Sequence, residues 1–303
     1  MPEISLIIPT RRRWDQLWLC LASLAEQTYT RTEWEVIVVI DGDDDVPEQT
    51  LARWGDRLPL RVVRQIHAGC GMARNNGSGY ARGRFLVFTD DDCQFPPYWL
   101  SEYAKHFQAT PDCLIAGRPV NALPQNPYSQ ATQEVIDQLL AQLNVCSENA
   151  VLAIGNNFGV PAEDFRALEG FSACYCRVAG AEDRDFAWRW RARGKRIVYA
   201  SDIIVRHSHD LTLASFLRQH FHYGRGARIF YGRACPEIDR PKSAGLSFYK
   251  SLLLRPWVER NGFSAERQFV LLLASQAAHL VGFLAPRRAA LKPFRPSIVE
   301  IDQ

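Results

Sequence analysis

Hydrophobic residues in the first 120 positions alternate between short continuous runs and segments of helical period. The runs predict four strands, at residues 4–8, 35–40, 60–64 and 85–88. The second of these is apolar on both faces, which is typical of a buried parallel strand. A helical segment at 14–27 follows the first strand, and another at 98–107 follows the fourth strand. A third helical segment follows the glycine-containing turn at 69–71. This alternation predicts an α/β domain with a doubly wound sheet.

The pattern beyond residue 120 is less regular. It predicts helices at 132–143, 183–193 and 213–224, strands at 151–154, 196–199 and 203–205, and turns at 155–159 and 223–226. Prolines and arginines then interrupt the pattern, at Pro236, Pro241 and Pro256 among others, before an apolar helix at 269–285. That helix reaches about 25 Å, which is short for a membrane span. We expect it to pack on the domain or to lie in a membrane interface.

Charge is divided unevenly along the chain. The 303 residues carry a net charge of +3, but residues 184–303 hold 21 Lys and Arg against 9 Asp and Glu. The basic part predicts an anionic partner such as a phosphate group or a membrane face. A nucleic-acid partner is not expected, because the basic residues are dispersed and form no recognised module.

Composition and the chain's beginning suggest where the protein works. A hydrophobic fraction of 47% excludes wholesale disorder. The eight cysteines are scattered without CxxC spacing, which argues against a zinc site. The first residues lack a signal-peptide pattern. We therefore expect reduced cysteines and a cytoplasmic protein. Peripheral contact with the inner face of the membrane stays open.

Polar residues stand at the carboxyl ends of the predicted strands, where open parallel sheets bind ligands. Thr10 and Asp41 follow the first two strands, and Asp90, Asp91 and Asp92 follow the fourth. Three adjacent carboxylates repel one another unless a cation compensates, and Mg²⁺ or Mn²⁺ commonly joins such carboxylates to substrate phosphates. A second acidic triplet, at 43–45, lies in a turn region and is interpreted as solvated.

Seven segments in order resemble the family 2 glycosyltransferases, over about residues 3–210. They read SLIIPT, SLAEQTY, EVIVVIDG, ARNNGSGYARGRFLVFTDDD, GNNFGV, GAEDRDFAWRWRARGKRIVYASD and VRH. The resemblance implies a Rossmann-like, nucleotide-binding mixed sheet flanked by helices, of the A type of glycosyltransferase fold. It also implies a catalytic domain over 1–232, with a nucleotide-binding half at 1–120 and an acceptor half at 121–232. Residues 233–303 would then form a helical, basic extension.

The resemblance also implies a role for each matching residue. The nucleotide sugar would contact Thr10, Asp41, Arg74 and Asp91, the last at the ribose. A Mg²⁺ or Mn²⁺ ion on the diphosphate would be held by Asp92, with Asp90 in support and His207 as a further ligand. Asp183 would be the catalytic base that removes the proton of an acceptor hydroxyl, and Glu182 would contact that acceptor. His209 is the alternative to His207, since strand alternation sends both to the same face.

The implied reaction is inverting transfer of a sugar from a nucleoside diphosphate to a sugar, lipid-linked or other hydroxyl acceptor. Two other functions stay open: a sugar nucleotidyltransferase, and a non-catalytic nucleotide-binding or membrane scaffold protein. A nucleotidyltransferase would need a glycine-rich loop after the first strand, and the segment from Thr10 to Arg13 contains no glycine. Arg11, Arg12 and Arg13 also depart from the glycosyltransferase family, which usually has an aromatic residue and an asparagine there.

Residues near the end of the 213–224 helix are further candidates. Arg218, Tyr223 and Arg225 would either cover the diphosphate or form an amphipathic helix end. Aromatic residues between Trp188 and Tyr231 would include an acceptor surface, although most are expected in the core.

Overall fold

The computed structural model describes residues 1–42, 45–178, 180–232, 245–259 and 262–285. Eight strands form one sheet: β1 (Ile4–Thr10), β2 (Trp34–Asp41), β3 (Leu60–Gln65), β4 (Phe85–Thr89), β5 (Cys93–Gln94), β6 (Leu114–Asn121), β7 (Asn157–Pro161) and β8 (Ile197–His207). The helices are α1 (Trp14–Ala25), α2 (Glu48–Arg57), α3 (Cys70–Tyr80), α4 (Trp99–Ala109), α5 (Pro127–Leu143), α6 (Ala162–Ala167), α7 (Glu182–Ala192), α8 (Leu213–Gly232), α9 (Leu246–Val258) and α10 (Ala265–Leu284).

The strand order is β3-β2-β1-β4-β7-β6-β8-β5. The first four strands are parallel, so the carboxyl ends of β1, β2 and β4 lie at one edge of the sheet. Strand β7 runs antiparallel to both of its neighbours, and β5 runs antiparallel to β8. The mixed sheet with flanking helices confirms the predicted fold class, and the short pairing of β5 brings the end of β8 to the acidic run after β4.

Alternating side chains of the central strands pack on the two faces of the sheet, as the pleat requires. Leu6 and Ile8 lie in a core cluster with residues of α1 and α4. Ile7 and Ile37 lie in a second cluster with residues of α3, α6 and α7. Because both faces are covered, the central strands are largely apolar, and this explains why the sequence pattern located β1, β2 and β4 to within two residues.

The C-terminal helices are joined to the rest of the chain by a third core. Phe216 of α8, Phe248 and Leu252 of α9 and Leu272 of α10 are buried together with Ala131 of α5. Helices α8 and α10 lie in extended contact along their lengths. The predicted apolar helix is therefore present as α10 and packs on the domain, while the boundary at residue 232 stays a prediction.

Three predictions for the middle of the chain differ from the structure. Residues 151–154 form no strand, and the predicted turn at 155–159 instead ends in β7. Gly159 lies inside that strand because the backbone passes close to the rings of Phe107 and Tyr103, where a Cβ would lie 2.6 Å from the nearest ring carbon. The two strands predicted at 196–199 and 203–205 are one continuous strand, β8.

Helix α8 also differs from the prediction. It does not end near Gly224 but continues to Gly232, because Gly224 faces α10 and lets the two backbones touch. Helices α2 and α9 and strand β6 were not predicted, and Pro256 lies within α9. Asp43 and Asp44 of the second acidic triplet, Cys235, Pro236 and Pro241 lie outside the described residues.

Candidate active site

The acidic run Asp90–Asp92 lies in the tight connection between β4 and β5. Cys93 of β5 pairs with His207 at the end of β8, which places the His207 Nε2 atom 3.1 Å from Asp92 Oδ1. Burial by itself would raise the pKa of Asp92, but His207 and Arg13 outweigh burial and hold that pKa below its usual range. The histidine that the resemblance favoured is thus the one that reaches the acidic run. The ring of His209 packs against that of His207 at a tilt of 39°, with ring centres 4.4 Å apart.

Thr10, the last residue of β1, and Arg13, just after that strand, contact the carboxylates of the acidic run. Thr10 Oγ1 donates to Asp91 Oδ2 over 2.7 Å. Arg13 donates from Nε to Asp91 Oδ2 over 3.2 Å and from Nη1 to Asp92 Oδ2 over 2.8 Å. Burial, opposed by Arg13, raises the pKa of Asp91 to about 7. Arg13 is therefore a cation that partly neutralises the acidic run, a role that sequence reasoning did not assign.

Arg74 connects the acidic run with the acidic pair Glu182 and Asp183. Its side chain, only 2% exposed, leaves α3 and donates from Nη2 to Asp90 Oδ1 over 2.6 Å. The Nη1 atom lies 3.7 Å from Glu182 Oε1. The buried Arg74 guanidinium lies between a carboxylate of the loop after β4 and a carboxylate of α7. It therefore holds together two acidic groups that are about ninety residues apart in sequence.

The acidic pair opens helix α7. Gly155 N donates to Asp183 Oδ2 over 2.9 Å, and the helix N-terminus further stabilises the carboxylate. A Cβ on Gly155 would lie 3.4 Å from Asp183 Oδ2 and 3.1 Å from Arg74 Nη1, so Asp183 and Arg74 flank the same glycine. Burial, together with the neighbouring Asp183, raises the pKa of Glu182 to about 7.

Asp41 organises the loop before α3. Its carboxylate accepts hydrogen bonds from Gln65 Nε2, His67 Nδ1 and the backbone amides of Ala68 and Gly69, all between 2.7 and 2.9 Å. Four donors hold the carboxylate in place and shape the wall of the site.

One cavity of about 1480 Å³ contains these groups. Of the nine predicted site residues, all within the described part of the chain, eight line it: Thr10, Asp41, Arg74, Asp90, Asp92, Glu182, Asp183 and His207. The exception is Asp91, whose carboxylate lies beneath Arg13. The acids after β4 and the acidic pair of α7 thus share a cavity, as the proposed chemistry requires.

Further residues of the cavity were not predicted or were only candidates. Arg13, His67 and Asn156 line it, and their contribution depends on contacts between distant segments that a single sequence does not display. Trp188, Tyr223 and Tyr231 line it as well. Among the described residues that line the cavity, neither Arg218 nor Arg225 is found, so of the three candidates at the end of the predicted helix only Tyr223 faces it.

The donor set suits a hard divalent cation at Asp92 and His207. Ligand atoms of Asp92, Cys93 and His207 all lie within 4.8 Å of one another. A carboxylate suits both Mg²⁺ and Mn²⁺, whereas an imidazole is a softer ligand that favours Mn²⁺ over Mg²⁺. Burial raises the pKa of the Cys93 thiol, which disfavours the thiolate that would bind a metal. Asp92 and His207, both facing the cavity, are therefore the residues that could hold the ion.

The fold and the strand-end acids define the class of protein. The structure resembles a mannosyltransferase from Pyrobaculum calidifontis, solved in complex with GDP-Man and Mn²⁺, with a TM-score of 0.61. The likeness covers 91% of this chain and 74% of the other at 21% identity, which shows the fold. That fold is the A-type glycosyltransferase fold.

The sequence comparisons give the family. Glycosyl transferase family 2 matches residues 5–168, just over half of the 303 residues, and the chain belongs to this family of glycosyltransferases. It is 23% identical over 231 residues to glycosyltransferase AglE of Haloferax volcanii, covering 75% of this chain and 73% of that protein. It is 32% identical over 229 residues to validoxylamine A glucosyltransferase of Streptomyces hygroscopicus subsp. jinggangensis, covering 64% of this chain and about half, 52%, of that relative.

Proposed function

We propose that the protein transfers a sugar from a nucleoside diphosphate sugar to an acceptor hydroxyl, with inversion at the anomeric carbon, Asp183 as general base and a divalent metal ion at the diphosphate. The observation that carries the proposal is the shared cavity. Asp92 and His207 line it at one set of strand ends, and Asp183 lines it from α7. Arg74 lies between the two groups and pairs with their neighbours Asp90 and Glu182.

The nucleotide side of the proposed site is formed by Thr10, Asp41, Arg74 and Asp91. A contact between Asp91 and the ribose requires the Arg13 guanidinium to turn away from the acidic run. The Arg13 side chain is 44% exposed, so it has room to do so. A guanidinium that leaves Asp91 can pair with phosphate oxygens in its new position.

The leaving group departs with negative charge, which a cation on the diphosphate stabilises when bound. Asp92 and His207 would hold a Mg²⁺ or Mn²⁺ ion, with Asp90 in support. The structural neighbour from Pyrobaculum calidifontis was solved with GDP-Man and Mn²⁺, which supports a divalent metal here, while the choice of ligands rests on the contacts of Asp92 and His207.

On the acceptor side, Asp183 takes the proton of the attacking hydroxyl. The acceptor oxygen forms a bond to the anomeric carbon as the bond between that carbon and the phosphate oxygen breaks, and the nucleoside diphosphate leaves. Direct attack, without a covalent enzyme intermediate, inverts the anomeric configuration. Glu182, whose raised pKa of about 7 leaves it largely protonated below neutrality, would donate a hydrogen bond to the acceptor.

The test is a panel of UDP- and GDP-sugars incubated with purified protein and Mn²⁺, with release of nucleoside diphosphate as the readout. Slow hydrolysis of one donor is expected without acceptor, and Asp183→Asn should abolish transfer while nucleotide binding persists. The surface variant Asp202→Asn is the control, since that carboxylate pairs with His106. Pyrophosphate release from a sugar phosphate and a nucleoside triphosphate would contradict the proposal in favour of a nucleotidyltransferase. Binding without any turnover would favour the scaffold function.

The same proposal includes peripheral membrane contact through the basic C-terminal part in a cytoplasmic protein. Helix α10 is long and apolar enough by composition to cross a membrane, but it packs against α5, α8 and α9. Salt-sensitive sedimentation with anionic vesicles, and none with neutral vesicles, is expected. Failure to bind either kind of vesicle would contradict this contact.

A further inference from the structure

The cavity extends away from the acidic groups into a part with apolar walls, which we call the apolar arm. Four helices, α5, α8, α9 and α10, supply these walls. The lining includes Leu139 of α5, Tyr223 and Tyr231 of α8, Phe248 of α9, and Leu280 and Phe283 of α10. The proposed chemistry of the acidic groups uses none of them.

The spacing of these residues gives the arm a direction. Tyr223, Ala227 and Tyr231 are four residues apart and therefore lie on one face of α8. The near end of this row lies beside the acidic pair, since a Cβ on Gly180, just before α7, would lie 2.7 Å from the Tyr223 ring. The row then runs for about 12 Å along the helix. The arm therefore begins next to Asp183 and leads away from it.

Side chains of the arm leave apolar surface in contact with solvent. Leu273 is 42% exposed and Leu280 is 56% exposed, although both line the cavity. Contiguous exposed apolar surface of this kind marks a binding surface in soluble proteins. An apolar ligand in the arm would remove this surface from water, and the gain in binding free energy would be proportional to the apolar area covered.

We propose that the acceptor carries an alkyl or polyprenyl chain, which lies in the apolar arm while the acceptor hydroxyl faces Asp183. This inference rests on the proposed function. The donor nucleotide belongs at the other end of the cavity, where Thr10, Asp41 and His67 supply polar groups. Gln142, Gln276 and His279 also line the cavity, but most of the arm is aliphatic and aromatic surface. A free sugar acceptor would leave that surface uncovered, whereas a hydrocarbon chain would cover it.

The test measures binding of methyl, hexyl, octyl and decyl glucosides by isothermal titration, with nucleoside diphosphate and Mn²⁺ present and below the micelle concentration. The dissociation constant should fall by up to about fourfold for each methylene that enters the arm, and then level off. Because binding is the readout, the result does not depend on which hydroxyl the enzyme glycosylates.

Adjacent residues of α10 provide a matched pair of variants. Leu280→Gln should weaken octyl glucoside binding about tenfold. Val281→Gln should leave it unchanged, because Val281 is 59% exposed and does not line the cavity. Dissociation constants that do not vary with chain length, or equal losses in both variants, would overturn the inference. Donor hydrolysis measured on the same protein tests the proposed function separately, so failure of one is distinguishable from failure of the other.

Discussion

Gly224→Ala tests the contact that shapes the apolar arm, between helices α8 and α10. A Cβ on Gly224 would overlap the carbonyl oxygen of His279 and lie 2.8 Å from both the His279 carbonyl carbon and Phe283 N. Gly282 of α10 meets the carbonyl of Phe221 in the same way. The two glycines therefore allow backbone-to-backbone contact, and a methyl group on either one must push the helices apart.

The size of the effect follows from this geometry. The overlap with the His279 carbonyl oxygen is the closest contact, and non-bonded heavy atoms pack at about 3.5 Å, so the helices must separate by about 1.5 Å to accept the methyl group. Overpacking of this kind costs about 1–3 kcal/mol. The higher helix propensity of alanine offsets about 0.5–1 kcal/mol of this loss in the free energy of unfolding. The crowding on three backbone atoms places the cost at the upper end, and we expect a net loss of about 2 kcal/mol in the free energy of unfolding.

Thermal and urea unfolding of the purified protein measure this loss, and each kcal/mol should lower Tm by about 2–4 °C. The matched control is Gly79→Ala in α3, where a Cβ has no neighbour within 4 Å. The control should be neutral or more stable than the original protein by up to about 1 kcal/mol. If Gly224→Ala were as stable as the Gly79→Ala control, the close crossing of α8 and α10 would be refuted.

Three further predictions concern titration and metal binding. Burial lowers the pKa of His220 from 6.5 to about 3, so only the unfolded chain gains this proton as the pH falls below 6.5. Stability should therefore drop by about 1.4 kcal/mol at pH 5.5, and His220→Gln should lose this part of the acid sensitivity in urea unfolding. Above pH 7, the acceptor KM should rise as Glu182 loses its proton; a Glu182→Gln variant with the same rise would contradict this role. Finally, EDTA should abolish donor turnover and Mn²⁺ should restore it, and Asp92→Asn should raise the Mn²⁺ concentration for half-maximal turnover at least tenfold, whereas Asp202→Asn should not.

The elements predicted most accurately are those whose pattern reflects burial alone. Strands β1, β2 and β4 are apolar on both faces, and their limits were found to within two residues. Two of the errors occur where a glycine marks close packing instead of a turn. Gly159 lies in β7 against aromatic rings, and Gly224 lies inside α8 against α10. A single sequence does not distinguish a glycine that bends the chain from one that admits a neighbour.

Strand β6 was missed for a related reason. Its pairing with β8 shifts register between Ala116 and Arg118, at Gly117, where a Cβ would collide with Asn157. The irregularity breaks the alternation by which strands are identified. Such a feature depends on the packing of β7 beside it, which local sequence does not contain.

The residues of the candidate site also differ in how far local sequence reveals them. The acidic groups were found because they follow strands or open a helix within motifs of the family. Arg13 and His67 were not, since their contacts join segments far apart in sequence: Arg13 reaches Asp91 and Asp92, and His67 reaches Asp41. Charge compensation of the acidic run by Arg13 and Arg74 became visible only once the chain was folded.

A crystal structure with Mn²⁺ and a non-hydrolysable nucleotide sugar would test the central claim most directly. We expect the ion at Asp92 and His207, the diphosphate on the ion, and the Asp183 carboxylate on the side of the anomeric carbon opposite the leaving oxygen. A donor bound with its anomeric carbon out of reach of Asp183, or outside the cavity that Asp92 and Asp183 share, would contradict the account.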